Sequence, residues 1–111
     1  MRTVLVISSE TLGRGSDELG ARLMVNFLRR IWASPERPAA VLFYNSGVKL
    51  LAHGAPALDA IDGLAVAGVD LVACGTCVTY YGIGDRLHAG RVSDMQEIVA
   101  TVMSAAKVVS V

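Results

Sequence analysis

The sequence predicts an α/β fold in which a mainly parallel sheet is covered by helices on both faces. Short apolar, β-branched runs alternate along the chain with segments whose apolar residues recur at helical spacing. Such alternation with short connections is typical of parallel sheets. The hydrophobic fraction of 53% and the mean hydropathy of +0.51 agree with this fold, because the strands of a parallel sheet are buried on both sides.

The first part of the chain predicts two strands and one long helix. Residues 3–8 are almost uniformly apolar and β-branched, as expected of a central strand. After a loop with two glycines, Ser16 suits the N-cap of a helix over residues 17–33, whose first turn is acidic and whose apolar residues form one stripe. Residues 39–44 predict the second buried strand. An Asn-Ser-Gly turn and a short helical turn over residues 48–52 follow it.

The middle of the chain predicts a second helix and the third strand. Pro56 suits the first turn of an amphipathic helix that ends near Gly68. Residues 69–73 predict the third strand, which leads into a turn that contains both cysteines. Residues 78–84 are expected to begin as a short helix.

The last part of the chain predicts a strand, a helix and a final strand. Residues 90–92 are expected to form a brief strand, and residues 106–111 should close the sheet. Between them, Ser93 and Gln96 form a capping box for a helix. The apolar positions of that helix recur at helical spacing. They are Met95, Ile98, Val99, Val102 and Met103.

Charge and hydropathy exclude several classes of function. Ten basic and ten acidic residues are interspersed along the 111-residue chain, so neither nucleic acid nor a membrane surface is an expected partner. No apolar stretch approaches the roughly 20 residues of a membrane span, and the first residues lack the layout of a signal peptide. We therefore expect one domain over residues 1–111, in the cytoplasm. A small domain buries little surface alone, so the apolar excess also predicts a homo-oligomer.

The only two cysteines, Cys74 and Cys77, stand three positions apart where the third strand runs into a turn. This position brings both sulfurs to the C-terminal edge of the sheet, where parallel α/β proteins usually carry their chemistry. A helix that starts at this turn favours the thiolate form. In the cytosol this spacing is more typical of redox, metal or sulfur-transfer groups than of a structural disulfide. The alternative is that both cysteines are simply small buried hydrophobic residues.

A metal site or a nucleotide site is less well supported than a thiol site. The cysteine spacing suits zinc, but zinc takes about four ligands. The only histidines, His53 and His88, form no second ligand pair, and we expect both on solvated loops. The loop over residues 11–17 lies between a strand and a helix, yet it lacks the glycine pattern and the lysine of phosphate-binding loops. The sequence therefore predicts no metal and no cofactor.

The loops after the first three strands should meet at one edge of the sheet, because right-handed crossovers send them there. We therefore expect one pocket around the cysteines, with positive charge from arginine and lysine and an asparagine that orients a ligand. One of the adjacent tyrosines, Tyr80 and Tyr81, should lie in the core or at a subunit contact, and the other should wall the pocket. The predicted pocket-lining residues are Glu10, Arg14, Asn45, Lys49, Thr76 and Tyr80.

Four segments of the chain together resemble the DsrE/DsrF-like family. They are SSETLGRGSDELG, FYNSGVKL, ACGTCVTYYGIGDRL and GRVSDMQEIV. Within the family they are most similar to the C-terminal domain of YedF-type sulfurtransferase-like selenium metabolism proteins, and the resemblance covers essentially the whole chain. It implies a three-layer α/β/α fold with a five-stranded, mainly parallel sheet. It also implies a homo- or hetero-oligomer, so a dimer, trimer or hexamer of this chain is expected.

The resemblance also implies a chemistry. Some members of the family carry sulfur as a persulfide on a cysteine after a central strand, and Cys74 falls at that position. Cys77 is a second cysteine that many relatives lack. YedF-type proteins usually have a small TusA-like domain ahead of this one. Because this chain starts at its first strand, we expect a TusA-like protein or a cysteine desulfurase as a separate partner.

Three functions remain open at this point. In the first, the protein is a sulfur or selenium relay, and thus a sulfurtransferase, in which Cys74 carries the persulfide and Cys77 assists or releases it by forming a disulfide. In the second, the two cysteines cycle as a thiol-disulfide switch, although the tryptophan and proline of a thioredoxin motif are missing. In the third, the protein is a non-catalytic binding or assembly subunit.

Overall fold

The computed structural model describes residues 2–111 and contains one parallel sheet of five strands in the order β4-β3-β2-β1-β5. The strands are β1 (Thr3–Ile7), β2 (Ala40–Phe43), β3 (Asp70–Cys74), β4 (Arg91–Ser93) and β5 (Lys107–Ser110). Every pair of neighbouring strands is parallel. The predicted fold class, a five-stranded parallel sheet between helices, is therefore confirmed.

Four α-helices and two short 3₁₀ helices connect the strands. The α-helices are α1 (Asp17–Ala33), α2 (Leu58–Val66), α3 (Gly75–Tyr80) and α4 (Met95–Ser104), and the 3₁₀ helices are Asn45–Leu51 and Gly84–Arg86. The first helix begins where its sequence predicts, because the Ser16 hydroxyl accepts a hydrogen bond from the Leu19 amide at 3.1 Å. None of the helices within residues 2–111 is long and apolar enough to span a membrane.

Two local predictions are wrong. Helix α3 starts at Gly75, directly after β3, instead of near residue 78. Helix α4 is capped by Asp94, whose carboxylate accepts from the Glu97 amide at 2.9 Å, and not by a box of Ser93 and Gln96. Ser93 is unavailable as a cap because it is the last residue of β4 and pairs with Cys74 of β3.

The sheet separates two apolar clusters, because successive side chains of a strand point to opposite faces. The first face packs against α1 and α2 and is the larger. Its strand residues include Leu5, Ile7, Val41, Phe43, Leu71 and Ala73, and its helix residues include Met24, Leu28, Ala60, Ile61 and Leu64. The second face packs against α4. Its buried residues are Val4, Val6, Ala40, Leu42, Val72, Cys74 and Ile98.

Helix α4 covers the second face with few residues. Ile98 is its buried position, and Val102 packs partly against the sheet. The other apolar positions of the predicted stripe, Met95, Val99 and Met103, are exposed. The helix is also fastened at its first turn by Arg91 of β4, which reaches the carboxylates of Asp70 and Glu97. Only part of the apolar stripe of α4 is therefore used within this chain.

Candidate functional site

The cysteines lie at the C-terminal edge of the sheet, where β3 passes into α3 without a loop. Cys74 is the last residue of β3 and the N-cap of α3, and Cys77 lies within the first turn of that helix. Gly75 permits this junction, since a Cβ at its position would lie 3.1 Å from the Ser93 carbonyl oxygen and 3.2 Å from a Val92 methyl group. A glycine at this point therefore lets α3 lie close to β4.

The two free thiols have different surroundings. Cys74 is 2% exposed and points into the apolar cluster under α4. Cys77 is only partly buried and contacts both clusters. Burial raises the pKa of the Cys77 thiol, and the neighbouring Cys74 thiol raises it further, while the hydrogen bond from the backbone N–H of Asn45 opposes them. Of the two sulfurs, Cys77 is the one open to a reactant.

Asn45, Tyr81 and Lys49 form a connected group beside Cys77. The backbone N–H of Asn45 donates to the Cys77 Sγ at 3.0 Å. The side-chain oxygen of the same residue, Oδ1, accepts a hydrogen bond from the Tyr81 hydroxyl at 2.8 Å. The Lys49 ammonium lies 4.4 Å from the centre of the Tyr81 ring. Asn45 has a left-handed backbone, with a φ of 52°, which asparagine tolerates better than most residues. A backbone N–H aimed at the sulfur stabilises negative charge on it.

The 3₁₀ helix that contains Asn45 and Lys49 packs closely against the end of β1. A Cβ at Gly47 would overlap the Ile7 carbonyl oxygen, so only glycine fits at this position. The Gly47 amide itself donates to the Tyr44 carbonyl oxygen at 3.1 Å. Close packing of this segment thus sets the position of the amide that meets Cys77.

Three cavities open along this edge of the sheet. The thiol cavity, of about 350 Å³, is lined by Asn45, Thr76, Cys77, Tyr80 and Tyr81. The side cleft, of about 630 Å³, takes its polar lining from Glu10, Thr11, Lys49, His53, Tyr81 and Arg86. The loop cavity, of about 520 Å³, has a lining that includes Ser8, Ser9, Arg14, Asn45 and Ser46. Tyr81 belongs to both the thiol cavity and the side cleft and so forms a wall between them.

The predicted pocket residues are divided among these cavities. Thr76 and Tyr80 line the thiol cavity together with Asn45, and Tyr80 is 82% exposed. Glu10 and Lys49 lie in the side cleft, 3.8 Å apart. Arg14 lines the loop cavity, which Asn45 joins to the thiol cavity. Cys74 lines none of these three cavities.

The sequence analysis considered both adjacent tyrosines and chose Tyr80, not Tyr81, as a pocket residue, and it selected neither His53 nor Arg86. Tyr81 could have been selected from the sequence, because it stands four positions after Cys77 and residues at that spacing share a face of a helix. No sequence signal identifies the other two. An isolated antiparallel bridge between Ala52 and Leu87 brings the segments of His53 and Arg86 together, and the His53 amide donates to the Arg86 carbonyl oxygen at 2.8 Å.

The two histidines lie close to each other near this bridge. Their ring centres are 5.3 Å apart, and the His88 Nε2 is 2.9 Å from a carboxylate oxygen of Asp62. Both histidines are exposed, as expected of solvated loop residues. Within residues 2–111, no group of three or more histidine, cysteine, aspartate or glutamate side chains is arranged to hold a metal ion.

Solved structures share this architecture over the whole chain. The YchN protein of E. coli aligns with a TM-score of 0.74 and 14% identity, covering 100% of both chains. MTH1491 of Methanobacterium thermoautotrophicum, a protein of unknown function, aligns with a TM-score of 0.71 and 23% identity over 99% of this chain and 98% of its own. BT1422 of Bacteroides thetaiotaomicron, also of unknown function, aligns with a TM-score of 0.67 and 12% identity over 98% and 94%.

These likenesses show the fold, which is the DsrE-like fold that the sequence segments imply. No protein-family model matches the chain, and no curated protein matches it in sequence.

Proposed function

We propose that this protein is a sulfur relay protein, able to carry selenium in place of sulfur, that holds a persulfide on Cys77 and uses Cys74 as the resolving thiol. One observation carries the proposal: a partly exposed thiol lines a cavity and receives a backbone N–H at 3.0 Å, while a second free thiol lies buried beside it. The resemblance of the ACGTCVTYYGIGDRL segment to YedF-type sulfurtransferases supports the same chemistry.

The loading step needs no oxidant. The Cys77 thiolate attacks the outer sulfur of a donor persulfide, R–S–SH, the donor S–S bond breaks, and the donor leaves as the thiolate R–S⁻. The product is Cys77–S–SH, in which the Asn45 amide still faces the inner sulfur. An acceptor thiolate can then take the outer sulfur and return Cys77 to its starting state. Such a relay passes one sulfur atom without net oxidation of the protein.

Cys74 offers a second route for the loaded sulfur. Its thiolate can attack the inner sulfur of the Cys77 persulfide, which forms a Cys74–Cys77 disulfide and expels hydrosulfide. The burial of Cys74, which is 2% exposed, keeps that thiol from outside donors and so favours resolution over loading. This assignment reverses the roles that the family resemblance implies, in which Cys74 is the carrier.

Mass spectrometry of the intact protein tests this proposal after incubation with a cysteine desulfurase and cysteine. We expect wild type to gain one sulfur atom that a reductant removes, Cys77→Ser to gain none, and Cys74→Ala to keep its sulfur longer because the resolving thiol is gone. If Cys74→Ala alone fails to load, Cys74 is the carrier. A loss of two hydrogens in wild type, together with no gain of sulfur in Cys74→Ala, identifies a thiol-disulfide switch, and no change in any of the three proteins identifies a non-catalytic subunit.

The Cys74→Ala variant also tests, through the pKa of Cys77, whether the two thiols interact. Because the neighbouring Cys74 thiol raises the pKa of Cys77, its removal should lower that pKa. The rate of alkylation of Cys77 by iodoacetamide should therefore rise at lower pH in Cys74→Ala than in wild type. An unchanged or upward-shifted profile would mean that the two thiols do not interact.

We also propose that the protein works as a homo-oligomer. The support is the number of large hydrophobic side chains left exposed, among them Val66 and Tyr80 at 88% and 82%. Stable oligomer interfaces usually bury more than about 2,000 Å², and side chains of this kind supply such area. Light scattering at micromolar concentration should give a mass that is a multiple of the 11.7 kDa chain. A monomer would contradict the proposal.

A further inference from the structure

We propose that the side cleft binds the carboxylate end of a small-molecule persulfide whose sulfur is delivered to Cys77. The inference rests on the proposed function and adds to it the chemical class of the donor. Its basis is that the side cleft and the thiol cavity share Tyr81 as a wall, and that cationic side chains line the cleft side of that wall.

The size of the side cleft suits a small organic molecule. Its volume of about 630 Å³ falls within the range of roughly 300–1,000 Å³ that small-molecule sites usually have. Apolar side chains of Leu50, Ala52, Pro56 and Ile83 form part of its lining. Such a cleft can hold the body of a ligand while a few polar groups fix its orientation.

The charges of the cleft favour an anion. Lys49 and Arg86 contribute two positive charges against the single carboxylate of Glu10. Glu10 is 3.8 Å from Lys49, which is a long and weak ion pair, and Arg86 makes no side-chain hydrogen bond or ion pair within residues 2–111. A free arginine in a cleft is suited to a carboxylate, since its planar guanidinium can donate two parallel hydrogen bonds.

The fold holds these cations in place. The bridge between Ala52 and Leu87 and the hydrogen bond from the His53 amide to the Arg86 carbonyl oxygen fix the backbone on one side of the cleft. On the other side, the Lys49 ammonium stands 4.4 Å from the centre of the Tyr81 ring, and the Tyr81 hydroxyl is tied to Asn45. Lys49 therefore lies at the wall between the two cavities, where it can meet the carboxylate of a ligand whose sulfur lies beside Cys77.

A carboxylate-bearing persulfide with its anionic end in the side cleft would react with Cys77 as described above. The Cys77 thiolate takes the outer sulfur, and the carboxylate-bearing thiol leaves as R–S⁻. The cleft thus contributes binding and orientation alone, and Arg86 acts as a binding residue that takes no part in sulfur transfer.

The test compares charged with uncharged donors. Glutathione persulfide carries carboxylates, whereas hydroxyethyl persulfide, made from 2-mercaptoethanol, carries no charged group apart from its sulfur. We expect Arg86→Gln to slow loading by glutathione persulfide about tenfold, the effect of losing one charge-assisted hydrogen bond, and to leave loading by hydroxyethyl persulfide unchanged. Arg30→Gln, which removes the same charge from the exposed surface of α1, is the matched control and should load like wild type.

A binding measurement separates this inference from the relay itself. S-methylglutathione cannot donate sulfur, so its affinity, measured by calorimetry, reports the cleft even if no donor loads Cys77. We expect it to bind wild type and Arg30→Gln and to bind Arg86→Gln about tenfold more weakly. Equal binding to all three proteins, or no binding to wild type, would overturn the inference. So would an equal loss of desulfurase-driven loading in Arg86→Gln, because the cleft would then be a docking surface for a protein.

Discussion

The two faces of the sheet bury apolar clusters of very different size. On the first face, α1 and α2 bury a large cluster in which many side chains are fully covered, including Phe43 and Leu28. The second face has seven buried residues, and α4, which covers it, supplies only one of them, Ile98. The first face therefore provides most of the packing that holds the fold together, and the second is a thin cover.

Cys77 lies where these two unequal faces meet. Cys77 packs partly against both clusters, so it lies where the well-packed face meets the thinly covered one. Its partner Cys74 lies wholly on the second face, under α4. The backbone N–H of Asn45 donates to the Cys77 sulfur, while Cys74 is buried under a single helix. The proposed carrier thiol is thus located at the boundary between the two faces.

Matched methionine substitutions should reveal the difference between the faces most strongly. Met24 on α1 is 1% exposed and Met103 on α4 is 79% exposed. Truncation of a buried methionine to alanine usually costs about 2–5 kcal/mol, whereas an exposed position changes stability by about 0.5 kcal/mol or less. We therefore expect Met24→Ala to lower the free energy of unfolding far more than Met103→Ala, as measured by urea denaturation at one protein concentration. Equal losses would contradict the contrast.

The elements of the first face could be predicted well from sequence. The apolar run of β1 and the stripe of α1 follow the periods of a strand and a helix, and Ser16 is the cap that its position suggests. These signals are local, since each depends on residues a few positions apart. The parallel sheet then follows from the alternation of strands and helices, which is why the fold class could be predicted without any tertiary information.

The second face was harder to predict because its local sequence patterns are compatible with more than one structure. Ser93 and Asp94 can both cap a helix, and only the pairing of Ser93 with Cys74 across the sheet excludes the serine. The stripe of α4 includes Met95 and Met103, which a helical pattern marks as apolar but cannot mark as buried. Which part of an apolar stripe meets the sheet depends on how the helix is placed against it. The periodicity of the sequence does not determine that placement.

The candidate site shows the same limit. Asn45, Thr76 and Tyr80 were selected because they follow strands that end at one edge, and all three line the thiol cavity with Cys77. The side cleft depends on the bridge between Ala52 and Leu87, a pairing of residues 35 positions apart that no motif marks. The unequal burial of the two cysteines likewise depends on which face is open, which only the assembled sheet decides.

The smallest effect should come from the ion pair that fastens α4 to the second face. Hydrogen bonds from Arg91 and Ser93 lower the pKa of Glu97 to about 2, against about 4.3 for a glutamate in an unfolded chain. A carboxyl whose pKa is lower in the folded state stabilises the fold above its unfolded pKa, and this stabilisation is lost as the pH falls through the folded pKa. Glu97→Gln should therefore lower the free energy of unfolding slightly at pH 7.

Urea denaturation across a range of pH values checks the sign of this effect. The difference between wild type and Glu97→Gln should be constant at neutral pH, shrink as the pH falls below about 4 and disappear near the pKa of about 2. Glu36→Gln is the matched control, because Glu36 is exposed and has no ion-pair partner within residues 2–111; its difference from wild type should not follow this profile. A difference for Glu97→Gln that persists unchanged at pH 2 would mean that the carboxylate charge is not what holds α4. The helix would then depend on Ile98 and its apolar neighbours alone, and the second face would be secured by packing in the same way as the first.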